Sequence, residues 1–341
     1  MNRKLRLFVR ITMIVCIGLF LFPVLKAQSL PLPYIKGATI NPKVAFNSST
    51  GIFTYQYIIT NFPNSIGSIS GVWFDIYLPK GAQLPSTQGL RDNIAVVLSE
   101  GSEQDTYQEV KGEVVPIAFT EAPSGWDGGY TGDGPAAYAD DNPNGTDSPL
   151  QPGASTGPFV IQSHGIVGIR TFRFDPDDEQ GSVGKYFHIN QFTMTIPQMN
   201  KILAAYSQAL RAVQFFTKSL APTALPLNCD PACMVQFLLN EKEQAFQLGW
   251  ITNAGVANSL DAKLNEAKKK LQEWQTQAAV NLLKSFILDL EAQHQGQTGQ
   301  GQGASTGNAQ TSRKHVTDNA YYLLKPNAEF ILYKLGVTNF Q

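Results

Sequence analysis

The sequence predicts an α+β protein with segregated domains: an N-terminal all-β sandwich followed by a C-terminal helical bundle. Between residues 28 and 198, short apolar runs are separated by Gly, Pro, Asn and Asp clusters, the punctuation of strands and turns. From about residue 199, apolar residues recur every three or four positions, the period of a helix face. Residues 1–27 form a leader outside both parts.

In the leader, Arg3, Lys4, Arg6 and Arg10 are basic, Ile11 to Leu25 is apolar, and Leu25 and Ala27 suit a cut before Gln28. This is the order of a secretory signal peptide. The apolar run is short for a membrane span; an uncleaved anchor is the alternative. The mature chain is therefore expected to be secreted, extracellular or periplasmic, with no membrane span after cleavage. Five of the 26 basic residues leave with the leader and no acid does, so 21 face 27 acids. Segment 28–198 has 8 basic and 17 acidic residues, and segment 199–341 has 13 and 10. The acidic front disfavours nucleic acid and anionic membranes.

Within 28–198, Phe53, Tyr55, Tyr57 and Ile59 alternate with Thr54, Gln56 and Ile58, a half-buried strand. Val72 to Leu78 is the next strand, then Ile94 to Leu98, Val114 to Phe119, Phe159 to Ile161, Ile166 to Phe174 and Tyr186 to Ile196. Seven or eight short strands of this kind suit a sandwich. In 199–341, Met199, Leu203, Tyr206, Leu210, Val213 and Phe216 mark a first helix, and Met234 to Leu248 a second. Asn258 or Ser259 can cap a third, carrying Leu260, Leu264, Ala267, Leu271 and Trp274. A fourth spans about Gln277 to Gln293, and Thr317 can cap the last, with Pro326 as a kink or a first residue. Residues 295–310 are almost all Gln, Gly, Ser, Thr and Ala, a solvated helix–helix connection by composition. Cys16 leaves with the leader; Cys229 and Cys233, in Cys-Asp-Pro-Ala-Cys, are expected to form a disulfide stapling the start of a helix.

Gly249-Trp250-Ile251-Thr252-Asn253, then Ser259-Leu260, Lys263-Leu264, Ala279, Leu283, Phe286 and Ile287, resemble the helical-hairpin modules of the FIMAH type. The likeness covers about 230–341; the long Gln/Gly connection departs from it. It implies a non-catalytic accessory module of the kind carried C-terminally by secreted bacterial proteins.

Chemical motifs are sparse. Gly-x-Ser-x-Gly occurs at Ser155 and Ser305, in loop contexts without the strand and helix a nucleophile elbow needs. His164, His188, His294 and His315 lack helical metal spacing. His188 reads as structural and His294 as solvated. Asp175-Pro-Asp-Asp-Glu179 reads as a charged hairpin tip, and Lys268 to Lys270 as a wet helix face. Gly125 to Asp147 interleaves Trp126, Tyr130 and Tyr138 with Asp127, Asp133, Asp140 and Asp141. Its plainest reading is a long solvated loop with Trp126 packed back on the sandwich. Two functional alternatives stand beside it. The four aspartates could hold calcium, a cation wanting six to eight oxygens, and the three aromatics could stack on a sugar. No other cofactor is expected. The expected function is a non-catalytic interaction protein presenting sandwich loops to a protein or glycan partner; the alternative is a carbohydrate-active enzyme or carbohydrate-binding accessory protein.

Overall fold

The computed structural model describes residues 35–90, 114–131, 134–139, 148–177, 195–198, 200–201, 204–205, 214–295 and 314–337. Strand β1 (Ala38–Asn47) pairs antiparallel with β2 (Ile52–Asn61), where Phe53, Tyr55, Tyr57 and Ile59 all face inward and are essentially buried. Alternation thus selects the face, because successive strand side chains point to opposite sides. Strands β3 (Ile69–Phe74), β4 (Ala118–Glu121), β5 (Trp126–Thr131), β6 (Gly134–Ala139), β7 (Ser155–Ser163), β8 (Ile166–Pro176) and β9 (Phe215–Thr223) complete two sheets. One has the order β1-β2-β7-β4 and the other β5-β6-β3-β8-β9. Their inner faces meet through aromatics: Tyr57 lies 5.5 Å from Phe74 and 5.7 Å from Phe172, ring centre to ring centre.

Among the described residues four helices follow: α1 (Pro231–Gln247), α2 (Ala254–Gln272), α3 (Thr276–Gln295) and α4 (Asp318–Lys334). Asp230 caps α1 by accepting from the Cys233 amide at 2.7 Å, with Pro231 in the first turn. The Cys229–Cys233 disulfide closes over this start, with Cα atoms 5.3 Å apart. Thr317 caps α4 as expected, and Pro326 lies buried inside that helix rather than at its start. Helix α2 begins earlier than Asn258, at the cap Asn253, whose side chain accepts from the Val256 amide at 3.1 Å.

Three other expectations change. The strand region extends past residue 199: Phe216 sits on β9, exposed, and the strand's second half, Ser219 to Thr223, is buried throughout, so pairing with β8 replaces the expected helical face. Ile196, expected in a strand, is helical, as are the described residues 197, 198, 200, 201, 204 and 205. Ile94 to Leu98, Met199, Leu203, Tyr206, Leu210, Val213 and His188 lie outside the described residues. Trp274 is not on the apolar side of α2; it lies beyond the helix end and is 92% exposed.

The helices dock on the strands as part of one continuous apolar core. Strand β3 pairs β8 only from Phe172 onward, so the first half of that β8 edge needs other partners. Two buried helix side chains supply them. Asn327 of α4 accepts from the Val167 amide at 3.0 Å and donates to its carbonyl at 2.7 Å, as a neighbouring strand would. Glu241 of α1 accepts from the Ile169 amide at 2.9 Å. Burial pushes the Glu241 carboxyl up to about 7, against the opposing pull of that amide and of Arg170. Phe330 of α4 completes the seam, 5.6 Å from Phe53 and 5.7 Å from Phe46. Lys242, almost fully buried, is neutralised by Asp261 of α2 at 2.6 Å. No helix among the described residues is long and apolar enough to cross a membrane.

Candidate functional site

The described part of Gly125–Asp147 is built differently from a long loop. Residues 126–131 and 134–139 pair as a β-hairpin, Trp126 opposite Ala139 and Asp127 opposite Tyr138. The glycine content has a packing cause: a Cβ at Gly128 would lie 2.2 Å from the Phe119 ring. Trp126 is 4% exposed, packs edge-on to Phe159 at 5.2 Å and donates its indole N–H to the Ser148 carbonyl at 2.9 Å. An indole held on both counts belongs to the sandwich core, so it offers no face to a sugar. Tyr130 and Tyr138 lie on β5 and β6. Asp127 is exposed, while Asp133, Asp140 and Asp141 lie outside the described residues. Among the described residues no three His, Cys, Asp or Glu side chains are grouped to hold a metal.

Asp175 is likewise not a hairpin tip. It lies in β8 and gathers Trp73, Arg173 and Gln214: the indole N–H donates to Oδ2, Arg173 donates at 3.1 Å and the Gln214 amide at 2.9 Å. The Arg173 guanidinium stacks 4.2 Å above the Trp73 ring. Burial pushes the Asp175 carboxyl up, and Arg173 with the hydrogen bonds pulls it back. Asp177 is buried; Asp178 and Glu179 lie outside the described residues. His294 is stacked on Tyr321 at 4.0 Å and bonded to Asp318 at 2.9 Å rather than solvated.

Among the described residues, a concavity lies where strands and helices meet. A cleft of about 590 Å³ opens between the β1–β2 turn, residues 83–88, the chain from Thr223 to Cys229, and the last turns of α4. That volume is in the range of small-ligand sites. Its walls are fixed independently. Gly51 adopts φ 70° in the β1–β2 turn, a conformation natural for glycine. The Gln83 amide donates to the Leu225 carbonyl at 3.1 Å, tying two walls together. The Cys229–Cys233 bridge holds the third. His164 spans the floor, with Nδ1 3.0 Å from the Gly51 carbonyl and Nε2 2.7 Å from the Gln88 carbonyl. Tyr333 and Lys334 form the helical wall, with the Lys334 ammonium 5.1 Å from the Phe330 ring and 5.8 Å from that of Tyr333.

The chemistry of this lining is recognition chemistry. Thr50, Ser86 and Tyr333 offer hydroxyls, Gln83 and Asn228 amides, and Lys334 a cation. Both ring nitrogens of His164 lie beside main-chain carbonyls, to one of which a given tautomer of the ring donates, so the ring packs between two loops. The sequence concealed this cleft because its residues come from six separate stretches, none with a motif; the disulfide spacing was the one legible part. No family model, curated protein or solved structure matches this chain.

Proposed function

We propose that the chain is an exported, non-catalytic binding protein that seats a ligand or a partner's side chains in the cleft between its sandwich and its helices. The observation that carries this reading is the cleft's lining: hydroxyls, amides, an aromatic edge and one ammonium on walls braced by His164 and the disulfide. Export is supported by the basic and apolar order of residues 1–27 and by the bridge, which persists in oxidising compartments. A FIMAH-type identity for residues 230–341 would fit an accessory role. The seam of Asn327 and Glu241 argues that these helices act with the sandwich rather than as a loose spacer.

The test is a thermal-shift screen of the mature chain against soluble glycans and short peptides. A compound that raises Tm in the native chain and not in Tyr333→Ala or Lys334→Ala variants supports the reading, since a ligand stabilises only the fold that binds it. Release of reducing ends from any glycan in the panel would instead favour the carbohydrate-active alternative.

A further inference from the structure

Helices α1, α2 and α4 end in the same way, and one of them departs at a single residue. After α1, the Gly249 amide donates to the Phe246 carbonyl and the Trp250 amide to that of Ala245, with Gly249 at φ 73°. After α4, the Gly336 amide donates to Tyr333 and the Val337 amide to Leu332, with Gly336 at φ 83°. After α2, the Trp274 amide donates to Leu271 at 3.1 Å and the Gln275 amide to Lys270 at 2.8 Å, with Trp274 at φ 58°. All three are Schellman closures, in which the left-handed position favours glycine because a Cβ is crowded there. The chain uses glycine twice and tryptophan once. That tryptophan is 92% exposed, so no packing within the fold compensates the strained backbone.

We infer that Trp274 is a platform for an uncharged saccharide, its indole face taking the apolar face of a sugar ring and the surrounding amides taking the hydroxyls. The surroundings select this occupant. Gln272, Gln275, Thr276 and Gln277 are exposed around the indole, and amide side chains both donate and accept. The nearby charges are matched: Lys269 faces Glu273 at 4.0 Å, and Lys270 faces Glu266 at 3.5 Å and Glu273 at 3.2 Å. An anionic membrane would need unpaired basic charge. A protein partner would need a packed apolar cluster around the anchor, and every exposed neighbour from 272 to 277 is polar. Trp274 is not among the cleft-lining residues, so this site stands or falls apart from the function proposed above.

The test is affinity electrophoresis of the mature chain through gels holding a soluble β-glucan, an arabinoxylan or a galactomannan, followed by titration with the matching oligosaccharides. Retardation by at least one polysaccharide is expected. Trp274→Gly should weaken binding by roughly tenfold, about the upper end of what one aromatic contact contributes. Trp274→Phe should retain most of the binding, and the cleft variant Tyr333→Ala all of it. Glycine suits the left-handed position, so loss in Trp274→Gly cannot be ascribed to misfolding. Equal migration of native chain and Trp274→Gly in every gel overturns the inference. So does native-chain binding to phosphatidylcholine vesicles, or self-association on a sizing column, that Trp274→Gly abolishes.

Discussion

Replacing Glu241 by Gln should change how stability depends on pH. The native carboxyl sits in the seam between α1 and β8, where burial raises it from 4.5 to about 7. Between these values the folded state binds more protons than the unfolded chain, so stability falls as pH rises through that window and stays low above it. At about 1.4 kcal/mol per pH unit, the interval corresponds to about 3 kcal/mol. The amide oxygen of Gln can still accept from the Ile169 amide, and it carries no charge to bury. Urea denaturation of both proteins from pH 4 to 8 measures the effect. Asp175 and Glu329, whose carboxyls burial also raises, act equally in both chains and cancel in the difference. The Gln variant should gain about 3 kcal/mol relative to the native chain between pH 4.5 and 8. Parallel stability profiles would refute the reasoning, by showing that the ionised carboxylate is accommodated in the seam at no cost.

Other outcomes follow from single contacts. Asp261→Ala leaves the Lys242 ammonium, 1% exposed, with only the longer 3.4 Å contact to Glu243; denaturation should show a loss of about 2 kcal/mol, largely restored by adding Lys242→Met. Tyr57→Phe removes a buried hydroxyl that has no hydrogen-bond partner among the described residues, so its Tm should hold or rise, by about 1 kcal/mol in stability. The matching Tyr55→Phe change breaks a 2.9 Å bond to the Gly165 carbonyl and should cost about 1 kcal/mol. Replacing Cys229 and Cys233 by Ser should cost no more than about 2 kcal/mol, because a bridge between residues four apart restricts the unfolded chain little.

How much was legible varied with local chemistry. β2 was plain because its apolar residues alternate against polar ones. β1 was missed because Pro42 interrupts it; the strand forms because it lies at a sheet edge, where a missing amide donor is tolerated. The β5–β6 hairpin looked like loop because Gly128 must leave room for Phe119, a tertiary demand that no local pattern carries. Phe216 extended a helical period by chance of spacing, and pairing with β8 then claimed it. Trp274 fell on a helical period too, yet the turn closes one residue before it. The helix faces of α1 and α3 were readable from Val235, Leu238, Leu283 and Phe286, all buried. Asn327 and Glu241 read as ordinary polar helix residues, because their partners on β8 lie some 160 and 72 residues away.

The central claim is that α1 and α4 complete the half of the β8 edge that β3 leaves unpaired, so that sandwich and helices form one unit with a cleft across their junction. Asn327→Ala tests it most directly, by removing both bonds to Val167. Urea unfolding should be followed at once by far-ultraviolet circular dichroism for the helices and by near-ultraviolet signal for the sandwich aromatics. A single coincident transition, shifted in both signals by about 2–3 kcal/mol, is expected for one cooperative unit losing a buried bidentate pair. Two separate transitions, or a shift in one signal alone, would contradict it.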